Sequence, residues 1–93
     1  MQKIMAGLEE IARSAKNSAE SAKTEQTIKA TRDFIKAFKP QDEAAGVLLG
    51  KLDLELATWQ AKFPVIFKEP IGRQGMAKHA RYWVEELKKC QTN

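Results

Sequence analysis

Hydrophobic positions recur along this chain in steps of three and four, and the clearest run lies between Pro40 and Pro64. Ala45, Leu48, Leu49, Leu52, Leu56, Trp59 and Phe63 share one face when residues 41–63 are wound as a helix, so a helix is predicted there. Asp42 and Glu43 suit the positive end of its dipole. Val47 and Leu54 fall on the opposite side, which predicts contact on more than one face and a central position in the fold.

The N-terminal third carries two stripes. Ile4, Leu8, Ile11, Ala15, Ala19 and Ala22 cluster on one face; Ile28, Thr31, Phe34, Ile35 and Phe38 cluster on another, rotated by about 170° if one helix runs through both. Two structures fit this jump. The chain breaks near Lys23 and Thr24, with Thr24 as N-cap and Glu25 in the first turn, or residues 2–38 form one helix that shows opposite faces to different partners. The break is preferred. An unbroken helix would run about 55 Å against about 34 Å for residues 41–63, and only another subunit would cover the excess. Ala12, Ala15, Ala19 and Ala22 offer a neighbouring helix a close approach.

Residues 64–72, PVIFKEPIG, combine Val65, Ile66, Phe67 and Ile71 with two prolines, which predicts a buried, apolar wrapping loop. A last helix is expected over 73–90, with Met76, Ala80, Trp83, Leu87 and Cys90 on its inner face. The expected fold is therefore all-α, a small up-and-down bundle of four helices, or three if residues 2–38 are continuous.

Size makes this one domain, residues 1–93, with a thin core: a chain of this length buries roughly 60–65% of its unfolded surface. The 43% hydrophobic content and the aromatic residues Phe34, Phe38, Trp59, Phe63, Phe67 and Trp83 exclude wholesale disorder. No apolar run has the length of a membrane span, and residues 1–10 lack a signal-peptide core. The single Cys90 excludes an internal disulfide framework and a multi-cysteine metal site, so a reducing cytoplasm is the expected compartment.

Charge is unevenly placed. Residues 60–81 hold Lys62, Lys68, Arg73, Lys78 and Arg81 against Glu69 alone, which accounts for the whole net charge of +4. If a helix starts near Arg73, its free backbone donors and the added cations make an anion site, with Lys68, Arg73, Lys78, His79 and Arg81 as ligands and Tyr82 as a stacking group.

Catalytic patterns are sparse. His79 is the only histidine, and Glu85, Glu86 and Cys90 are not at a helical spacing that completes a metal set around it. Cys90 has no base within helical reach. The stretch GRQG at 72–75 matches neither the dinucleotide-binding nor the P-loop glycine pattern. Arg73 and His79, separated by five residues, resemble the R-x(4–6)-H motif of HEPN ribonucleases, helical proteins that pair across a dimer to cleave RNA; the resemblance covers these two residues, and Gln74 follows the arginine. No enzyme activity and no cofactor are expected. More helical faces are apolar than a chain this short covers, so the leading expectation is a non-enzymatic protein–protein interaction or assembly module that self-associates as a homo-oligomer. The alternative is a nucleic-acid or anion-binding helical module using residues 62–81.

Overall fold

In a computed structural model that describes residues 1–91, the two N-terminal stripes become an antiparallel hairpin. Helix α1 spans Gln2–Ser14 and buries Ile4, Leu8 and Ile11; helix α2 spans Ser21–Ala37 and buries Thr24, Ile28, Thr31 and Ile35. The break between them falls earlier than the sequence predicts. Asn17 turns the chain in an extended conformation (φ −110°, ψ 111°), and its side-chain oxygen accepts from the Ala19 amide to start a short 3-10 turn, Ser18–Glu20. Asparagine does here what glycine or proline often does, because its side chain satisfies the free amide of a new turn.

Thr24 is therefore not a cap. It lies fully buried inside α2, donating to the Glu20 carbonyl at 2.9 Å and meeting Ser14 Oγ at 2.7 Å. This buried hydroxyl pair closes the hairpin on the inside. Outside, Arg13 bridges Glu10 (2.6 Å) and Glu20 (3.1 Å), and Lys23 reaches Glu10 at 2.9 Å. Gly7 faces Thr31 so closely that a Cβ would press on the whole threonine side chain. That explains why α2 turns Thr31 inward, while Phe34 sits at the rim, 37% exposed beneath the Lys3 ammonium. Ala12 and Ala15 are buried as close-approach positions, whereas Ala19 and Ala22 are exposed beyond the break.

Helix α3 spans Glu43–Ala61, capped by Asp42, whose carboxylate accepts from the Ala45 amide at 2.7 Å. It buries Leu49, Leu52, Leu56 and Trp59. Residues 64–72 are helical on either side of Glu69 rather than a buried loop, and Val65 and Ile71 face outward. Both prolines occupy first-turn positions, where a missing amide hydrogen costs nothing. Pro64 opens α4 (Phe63–Lys68) after a kink at Lys62, and Pro70 opens α5 (Pro70–Gln91) after the extended Glu69. The rings of Phe63 and Phe67 stack at 4.9 Å beneath this corner. Helix α5 thus begins three residues before the predicted start, and it buries Met76, Ala80, Trp83 and Leu87.

The four long helices and the short α4 form the expected small all-α bundle. Its centre differs from the expectation. Helix α1 packs along both α2 and α5, while α3 leans on α2 and meets α4 and α5 only lightly. The small residues Gly7, Ala12 and Ala15 let neighbouring helices pack against the α1 segment.

Candidate interaction surfaces

Three surfaces follow from this packing. The first is the outer side of α3. Val47 is 53% exposed and Leu54 71% exposed, seven residues apart on a helix that is apolar around much of its circumference. A helix of that composition is normally covered all round. Glu43, Ala44, Val47, Leu48 and Lys51 line a shallow depression along this flank.

The second surface is the seam where α3 meets α5. One half-buried carboxylate holds it: Glu55 accepts from the indole N–H of Trp83 through one oxygen and pairs with His79 Nδ1 at 3.0 Å through the other. Below that strap, Trp59 and Trp83 floor an open cleft whose rim includes Lys51, Leu54 and Thr58. On the α2 side, α3 is held by Arg32, whose guanidinium donates to Asp53 at 3.0 and 3.5 Å and to Gln60 at 2.7 Å. The hydrogen-bonded Asp53 carboxylate raises the Arg32 pKa further and keeps the guanidinium charged.

The third surface is a groove between α1 and α5. It is floored by Ala12 and Val84 and lined by Arg13, Lys16, Arg81 and Lys88, with Glu9 and Glu85 at its edges. Part of this charge is already matched. Glu10 holds Arg13 in its cationic form, and Arg13, then Lys23, lowers the Glu10 carboxyl from 4.5 to about 2. Lys88 reaches Glu85 at 3.3 Å.

The basic residues singled out in the sequence are dispersed among these surfaces rather than gathered into one. Arg73 turns back onto α4, donating to the carbonyls of Phe67 (2.7 Å) and Lys68 (3.3 Å) and lying over the Phe67 ring. A cation there satisfies the negative end of α4 and needs no outside anion. His79 is engaged by Glu55. Lys68 and Lys78 are exposed, Arg81 faces the α1–α5 groove, and Tyr82 is 56% exposed with its ring edge against Trp83. The sequence reading passed over Glu55, Lys16 and Lys88. Glu55 carries no local signal, because its partners lie 24 and 28 residues away.

Together these features define a small helical bundle with an uncovered apolar flank and a charged groove. No protein-family model, curated protein or solved structure matches the chain. Among the described residues, no helix is long and apolar enough to cross a membrane.

Proposed function

We propose that this chain is a non-enzymatic helical assembly module whose partner is a second copy of itself. The supporting observation is the outer side of α3, where Val47 and Leu54 stay exposed on a helix that is apolar around much of its circumference. Covering these two side chains on both copies returns roughly 4–7 kcal/mol at the usual burial value. Association costs at least about 4 kcal/mol in lost freedom, so the assembly is reversible and concentration-dependent. Sedimentation equilibrium from about 1 to about 500 µM tests this. The mass should rise from 10.5 kDa towards twice that value, and Val47→Asp should suppress the rise. A mass that stays at 10.5 kDa throughout would remove the proposal.

A second reading, binding of nucleic acid or another polyanion, draws support from the groove in which Arg81 meets Arg13, Lys16 and Lys88. Binding to single strands that weakens steeply with salt and is lost on Arg81→Glu would favour it. Undetectable binding at low ionic strength would remove it.

A further inference from the structure

The ridge that α3 turns outward carries a charge pattern that selects how two copies meet. Glu43, Val47 and Lys51 stand four residues apart in succession, along one line of the helix surface, and all three are exposed. An acid lies one turn before the apolar centre and a base one turn after it. Glu43 and Lys51 are about 12 Å apart along the axis, too far to pair with each other. Neither has an ion-pair partner among the described residues. The one acid a turn beyond Lys51, Glu55, has both oxygens occupied by His79 and Trp83.

We propose, building on the reading that the chain self-associates, that two copies dock α3 against α3, antiparallel, across a two-fold axis beside Val47. A two-fold contact uses the same patch on both copies, so every pairing occurs twice. In this register Val47 meets Val47, and Glu43 of each copy faces Lys51 of the other. Parallel docking would instead set Glu43 on Glu43 and Lys51 on Lys51, and like charges in contact oppose it. The charges thus choose the direction, and the apolar centre supplies the adhesion.

Gly50 adds an independent mark. It lies inside α3, where glycine is unfavourable relative to alanine, and nothing stands within 4 Å of where its Cβ would be. The single copy therefore makes no packing use of the missing side chain. In the proposed register Gly50 faces Ala44, two small residues that bring the helix axes towards the short end of the usual range of about 8–10 Å. Gly75 on α5 is open in the same way and lies outside this contact.

The test compares four 93-residue chains by sedimentation equilibrium at low and high salt: wild type, Glu43→Lys, Lys51→Glu and the double swap Glu43→Lys/Lys51→Glu. All changes are on exposed positions, and far-UV circular dichroism checks that each chain is folded. Each single reversal turns two surface attractions into two repulsions and should weaken dimerisation roughly tenfold or more. The double swap should return the dissociation constant to within about threefold of wild type. High salt should narrow the differences. Single reversals that match wild type, or a double swap no better than the singles, would overturn this geometry while leaving self-association in place. A wild-type chain that stays monomeric would overturn both.

Discussion

Replacing Gly72 by alanine should destabilise the fold although alanine is the better helix former. Gly72 lies in the first turn of α5, where that helix crosses α4. A Cβ there would sit 2.9 Å from the carbonyl carbon of Ile66 and 3.3 Å from its Cα. The carbonyl oxygen of Ile66 lies closer still, and since non-bonded carbon contacts are about 3.5–4.0 Å, α4 and α5 must part by more than about 1 Å. The obstacle is backbone and has no rotamer to escape into. Parting the helices stretches the Arg73 bonds to the last carbonyls of α4. Overpacking of this kind costs about 1–3 kcal/mol, and a weakened hydrogen bond adds about 1 kcal/mol. Removing a helical glycine returns about 0.5–1 kcal/mol. The net loss is about 1–3.5 kcal/mol, which lowers Tm by roughly 4–28 °C in a domain of this size. Gly50→Ala is the internal control. With nothing near its Cβ, only the propensity gain remains, and Tm should rise by a few degrees, about 2–8 °C. Thermal and urea melts followed by circular dichroism, at a dilution where association is negligible, read both shifts. If the two variants move in the same direction, the close approach of α4 and α5 described above is wrong.

Glu55→Ala should cost about 1–3 kcal/mol, because the largely buried indole N–H of Trp83 loses its acceptor; Glu55→Gln keeps an oxygen there and should cost less than about 1 kcal/mol. Equal urea midpoints for the two variants would mean that the strap between α3 and α5 contributes nothing. Arg32→Lys should lose about 1 kcal/mol despite keeping the charge, since one ammonium cannot serve Asp53 and Gln60 in the geometry of the guanidinium fork; a double-mutant cycle with Asp53→Asn measures the coupling, and a value near zero would refute the clamp. The Glu10 carboxyl is held below its ordinary 4.5, at about 2, by Arg13 and then Lys23. A carboxyl depressed in the folded state stabilises it above the unfolded pKa and loses that contribution as pH falls through the folded one. The stability lost between pH 4.5 and about 2 should therefore shrink in Glu10→Gln, and an unchanged acid limb in urea titrations would contradict the assignment.

Periodicity alone made the all-α bundle legible, because a stripe at steps of three and four has only one regular structure that gathers it. It also gave the buried faces of α3 and α5 nearly residue by residue. The boundaries were harder to read. A threonine before an acidic residue is a good cap by composition, yet Thr24 pairs inside with Ser14, and that choice depends on a residue ten positions away. Prolines 64 and 70 read equally well as breakers and as first-turn residues, and the burial of Phe63 and Phe67 settles them as helix starters. Arg73 looked like an anion ligand because a local sequence does not show that the carbonyls of α4 lie within its reach.

What the sequence determined by itself is local: which segments are helical and which face of each is apolar, since both depend on spacing over a few turns. Tertiary structure decided which of those faces are used up. Gly7, Ala12 and Ala15 draw α1 into the centre, so α1 takes the neighbours that the longer and more apolar α3 was expected to have. The outer side of α3, with Glu43, Val47, Gly50 and Lys51, is left uncovered, because the small residues of the α1 segment let α2 and α5 close on it instead.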